Sequence, residues 1–136
     1  MKKNLILVFA LLLVFTAGCS ASAPAADTEK SSQTFRQISQ EEAKEMMAKD
    51  DGHVVVDVRR QDEYDAGHIP GAILIPNESI GCDSPEALPD YDQIILIYCR
   101  TGNRSKQAAQ KLASMGYTNI YEFGGITTWT DDVVTD

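Results

Sequence analysis

Ile94-Ile95-Leu96-Ile97-Tyr98 constrains the fold more than any other stretch. Its residues are apolar at both parities, so a strand built from them must be covered on both faces. That environment is the middle of a parallel sheet flanked by helices. A chain of 136 residues with this strand at its centre is long enough for one domain of that kind, and its 43% hydrophobic share supplies one core.

The rest of the chain follows the same plan. Ser39-Gln40-Glu41-Glu42 has the form of a capping box, and Ala43, Met46 and Met47 follow at helical spacing, with Gly52 as a stop. These methionines read as core filler. Val54-Val55-Val56 predicts a buried strand, Gln61 to Ala66 a short helix, and Gly67-His68-Ile69-Pro70-Gly71 a turn-rich connection. Ala72-Ile73-Leu74-Ile75 predicts a second buried strand stopped by Pro76. A helix is expected from about Ser105 to Met115, buried through Ala108, Ala109, Leu112 and Met115 and stopped by Gly116. Asn119 to Phe123 reads as a further strand, and Ile126 to Trp129 as a last helical turn with Trp129 capping the core. The expected class is α/β, with an open, mainly parallel sheet of about five strands flanked by helices.

Chemistry concentrates where the central strand ends. Cys99 follows it directly, and Ser105 opens a helix, so the loop lies at the carboxyl end of a parallel sheet, where open α/β proteins bind ligands. Amides of a first helical turn lack intrahelical partners and carry partial positive charge. Gly102 permits φ > 0, so the loop can curl and aim its N–H groups at one point, making an anion cradle. A cysteine in such a cradle has a lowered pKa, because the donors stabilise its thiolate. Arg100 and Arg104 add charge. The candidate nucleophile is Cys99, and the candidate substrate-binding set is Arg100, Thr101, Gly102, Asn103, Arg104 and Ser105.

Arg104 is the fifth residue after Cys99, giving C-x4-R followed by Ser. Cysteine phosphatases and arsenate reductases resemble C-x5-R, a loop one residue longer that wraps phosphate or arsenate. The shorter loop favours attack on sulfur. A phosphatase or arsenate reductase, and a non-catalytic or sulfur-carrier module, are the alternatives.

Val56-Asp57-Val58-Arg59, Gly67-His68-Ile69-Pro70-Gly71-Ala72, Tyr98 to Ser105, and Gly124-Gly125-Ile126 ending at Trp129 together resemble the rhodanese homology domain, in the family's order and across about Thr34 to Asp136. The resemblance implies that Cys99 takes a sulfane sulfur from thiosulfate or a related donor as a persulfide. It then passes the sulfur to cyanide or a thiol, with no metal or organic cofactor. It implies that Arg100 and Arg104 bind the donor's sulfonate or the departing sulfite, as in the thiosulfate-type enzymes. Asp57 and Arg59 would support the loop by hydrogen bonds from neighbouring strand ends. His68 reads as a turn residue bonding nearby backbone.

The first residues belong to another function. Lys2 and Lys3 precede the unbroken apolar run Leu5 to Phe15, then small residues and Cys19, which is the order of a secretory signal peptide over residues 1–18. The Gly18-Cys19 ending resembles the lipobox of bacterial lipoproteins, departing from it at Thr16, where that pattern has Leu. Cys19 is the candidate lipidation site. Residues 19–34 read as a flexible tether with a reach on the order of 20 Å. The fold is then residues 35–136, exported and lipid-anchored at the outer face of the cytoplasmic membrane or in the periplasm, and expected as a monomer. A formal net charge of -8 argues against sequence-independent nucleic-acid binding. Cys82 is expected as a free buried cysteine; a disulfide to Cys99, or a resolving role towards it, are the alternatives.

Overall fold

A computed structural model describes residues 35–135, so the signal peptide, Cys19 and the tether lie outside the described residues. Five strands, β1 (Arg36–Gln37), β2 (Val54–Asp57), β3 (Ile73–Leu74), β4 (Ile94–Cys99) and β5 (Asn119–Gly125), form one sheet in the order β1-β5-β4-β2-β3. All four pairings are parallel, and β4 lies in the middle. The helices are α1 (Gln40–Met47), α2 (Gln61–Asp65) and α3 (Asn103–Met115), with short 3-10 turns at Asn77–Ser79 and Ile126–Thr128.

The two parities of β4 feed two cores. Ile95, Ile97 and Cys99 face α3 and pack with Val56, Val58, Ala108, Ala109 and Leu112. Leu96 and Tyr98 face the other way, towards Ala43 of α1, Val55, Ile69 and Phe123. The parity of the strand therefore decides that Cys99 emerges on the α3 side.

α1 begins as its sequence requires. The Ser39 hydroxyl accepts from the Glu42 amide at 3.1 Å, and Glu42 accepts from the Ser39 amide at 2.8 Å. α3 ends on Gly116 at φ 107, where the Tyr117 amide donates to Leu112 at 3.2 Å.

Four expectations are corrected. α1 stops at Ala48, and Gly52, at φ 77, serves the turn into β2 instead. β3 is two half-buried residues on the sheet edge, because Pro76 and the turn before it leave little to pair. α3 starts two residues before Ser105, since Gly102 adopts φ 101 and turns the chain into the helix at once. Cys82 is exposed, in the irregular segment between β3 and β4, and both it and Cys99 are free thiols. β1, two exposed polar residues paired with Tyr121 and Glu122, had no signature in the sequence.

Candidate active site

β4 delivers Cys99 to the sheet's carboxyl edge, and α3 begins four residues later. Cys99 is 1% exposed, so its sulfur is the floor of the loop. The Gly102 amide donates to Cys99 Sγ at 3.0 Å. Burial pushes the thiol pKa up, but the Ser105 hydroxyl and the amides of Ser105, Gly102 and Thr101 outweigh it and hold it below the ordinary value.

Strand β5 holds the loop from behind. Between Ile97↔Glu122 and Cys99↔Gly125 the register slips, with β5 using one residue more than β4. Gly124, at φ 92, takes up the bulge. The Arg100 carbonyl accepts from the Thr127 amide at 3.2 Å and its hydroxyl at 3.0 Å. Glu122 is 3% exposed and lies beneath the loop, where its Oε1 accepts from the Ser105 hydroxyl at 2.6 Å and the Gly124 amide at 2.9 Å. Ser105 thus serves the sulfur above and the carboxylate below, its amide facing the sulfur and its single hydroxyl proton going to one or the other at a time.

Of the candidate binding residues, Gly102 and Ser105 are buried within the loop, while Arg100, Thr101 and Asn103 are exposed. The Arg100 side chain has no ion pair among the described residues, but Arg104 does. Its two terminal nitrogens donate to Glu63 Oε2 and Oε1 at 2.6 and 2.8 Å. This fork holds the Glu63 carboxyl at about 2, chiefly through the hydrogen bonds from Arg104. Glu63 also accepts from the Arg60 amide at 3.2 Å, so it caps α2 and grips Arg104 at once.

Asp57 and Arg59 form a buried ion pair with a shortest contact of 2.6 Å, and Arg59 also donates to the Gly67 carbonyl at 2.7 Å. They brace the Gly67 turn. Among the described residues neither makes a hydrogen bond to the Cys99–Ser105 loop, and their route to it runs through Tyr98, over whose ring the Arg59 guanidinium lies at 5.8 Å. His68 behaves as a turn residue. Its Nδ1 donates to the Tyr64 carbonyl at 3.0 Å and its ring stacks on Tyr64.

Glu63 and Glu122 were not anticipated. A carboxylate between the apolar residues of β5 was a readable signal for Glu122. Its place in the first turn of α2 marks Glu63 as a cap, but nothing local marks it as the partner of Arg104, 41 residues away.

A profile of the rhodanese-like domain matches residues 39–132. The thiosulfate sulfurtransferase GlpE of Pseudomonas entomophila (strain L48) is 40% identical over 96 residues, covering 70% of this chain and 84% of that protein. The thiosulfate sulfurtransferase PspE of Escherichia coli (strain K12) is 37% identical over 71 residues, or 52% of this chain and 68% of that protein. A solved structure of a rhodanese with anions from E. coli is similar at a TM-score of 0.57 and 32% identity, covering 62% of this chain and 99% of that one. With the family profile spanning nearly all of the described residues and the sheet, loop and helix arranged around Cys99, the chain belongs to the rhodanese family.

Proposed function

We propose that this sulfurtransferase moves a sulfane sulfur from thiosulfate or a related donor, through a persulfide on Cys99, to cyanide or a thiol. The observation that carries the reading is the 3.0 Å contact from the Gly102 amide to Cys99 Sγ, in a loop whose donors lower the thiol pKa. Relatives named as thiosulfate sulfurtransferases support the reaction class.

In the first half-reaction the Cys99 thiolate attacks the outer sulfur of thiosulfate. The new S–S bond takes the electron pair from Cys99, and the old S–S bond breaks with its pair leaving on sulfite. In the second, cyanide attacks the outer persulfide sulfur, and the Cys99 thiolate leaves as thiocyanate forms. Charge is conserved in both steps. No proton need move, so no general base is required, and His68 keeps its turn role. The loop amides stabilise the thiolate before and after transfer and the anionic persulfide between.

The proposal includes the location. The apolar run Leu5 to Phe15 and Gly18-Cys19 support export and lipid attachment at Cys19, which would hold the domain at the outer face of the cytoplasmic membrane or in the periplasm.

The test is direct. The purified domain with thiosulfate and cyanide should yield thiocyanate, and with thiosulfate alone the Cys99 peptide should gain the mass of one sulfur atom. Cys99→Ser should do neither. A Cys99→Ser variant with full activity overturns the reading.

A further inference from the structure

Glu63 places a negative charge directly on Arg104, a guanidinium of the loop proposed to receive an anionic donor. Its two oxygens occupy both terminal nitrogens of Arg104 at 2.6 and 2.8 Å. The pair is partly shielded, with the Glu63 side chain 16% and the Arg104 side chain 25% exposed. Glu63 cannot easily swing away, because the first turn of α2 holds it through the Arg60 amide at 3.2 Å. Arg104 is close enough to Cys99 for their charges to interact, and Glu78 adds a further negative contribution on the same guanidinium. Near the sulfur, Arg100 is therefore the one loop guanidinium with no carboxylate partner among the described residues.

Donors differ in how much positive charge they need. Thiosulfate brings two negative charges to a thiolate that already carries one, so three must be accommodated together. A protonated alkyl persulfide, R–S–SH, brings none. The Cys99 thiolate attacks its outer sulfur, and the S–S bond breaks with its electron pair leaving on R–S⁻. The products are Cys99–S–SH and the donor thiolate, and the total charge stays at minus one. A guanidinium whose charge is already balanced by a carboxylate attracts an incoming oxyanion less, even with N–H groups to spare. An uncharged donor loses nothing by this.

We propose that Glu63 is a specificity-determining residue: by closing the Arg104 fork it biases Cys99 away from dianionic thiosulfate and towards uncharged persulfide donors. This rests on the sulfurtransferase reading above.

The experiment compares kcat/KM for thiosulfate and for 2-hydroxyethyl persulfide in the wild type, Glu63→Gln, and Glu63→Gln with Arg104→Gln. Removing one charge at contact range should raise kcat/KM for thiosulfate by about tenfold. The persulfide value should stay within about twofold, since the reacting form, R–S–SH, brings no charge and its share of the donor is set by the buffer, the same for every variant. The double variant should lose the gain, which separates a freed guanidinium from a loosened loop. The gain should also shrink as salt is added. An unchanged or lower thiosulfate value in Glu63→Gln, or an equal change for both donors, overturns the proposal while leaving the sulfurtransferase reading intact. A wild type that acquires no sulfur on Cys99 from either donor overturns both.

Discussion

Gly125 packs so closely on Arg100 that a Cβ at position 125 would lie 2.2 Å from the Arg100 carbonyl oxygen and 2.6 Å from the Thr101 Cα. Both neighbours are backbone, so no side chain can swing aside. The end of β5 is a surface moulded to the cysteine loop, and only glycine allows the approach. Gly125→Ala should push the loop outward, costing about 1–3 kcal/mol of stability by overpacking, and sulfur transfer should fall more than tenfold. Gly81→Ala, at a position with open space around it, is the matching control. Equal effects of the two on urea midpoint and turnover would refute the account.

Cys99 should react with iodoacetamide at lower pH than a free cysteine, whose pKa is about 8.5. The cause is the donors converging on its sulfur, which outweigh burial. Ser105→Ala removes one of them and should move the alkylation midpoint upward. A midpoint that stays put in Ser105→Ala would show that the amides suffice.

Acid should weaken the fold through Glu63. Its carboxyl titrates at about 2 in the folded chain, against an ordinary 4.5. A carboxyl depressed by folding contributes stability above its unfolded pKa and loses it as pH falls towards the folded value. The loss should therefore run from about pH 4.5 down to about pH 2, and because the pair is partly exposed it should amount to on the order of 1 kcal/mol. Urea denaturation across that range, with Glu63→Gln alongside, measures it. The variant should show a flatter profile.

The Asp57–Arg59 pair should behave as a buried one. Arg59→Ala strands a carboxylate that is 0% exposed and leaves the Gly67 carbonyl without its guanidinium donor. The expected cost is about 3–5 kcal/mol. A drop in urea midpoint worth under about 1 kcal/mol would contradict it.

Glu122→Ala should be costly for the same physical reason. It removes the acceptor of both the Ser105 hydroxyl and the Gly124 amide. The Ser105 hydroxyl keeps the Gly102 carbonyl at 3.0 Å, but leaving the Gly124 amide unpaired costs about 1–3 kcal/mol, and the loop should loosen, slowing alkylation of Cys99 at neutral pH.

What the sequence disclosed follows from how local each feature is. The apolar run of β4 announces a central parallel strand because both its faces must be covered, and Ser39 with Glu42 announces α1 because the cap is made within four residues. The cradle is legible because Cys99, Gly102 and Ser105 lie within one short stretch of chain. Features built across the chain are not. β1 exists only through its pairing with Tyr121 and Glu122. The partner of Arg104 lies 41 residues back, on another element, so the sequence shows a free cation where the fold has an ion pair. Cys82 was expected inside because cysteines usually are, but its segment between Gly81 and Pro85 has no periodicity to anchor that expectation.

Placing the nucleophile on the central strand has a kinetic consequence. Edge strands β1 and β3 can fray without disturbing β4, whose amides should exchange with solvent only when the whole domain opens. The reactive sulfur is thus tied to the last part of the molecule to come apart, and inactivation on heating should coincide with global unfolding rather than precede it.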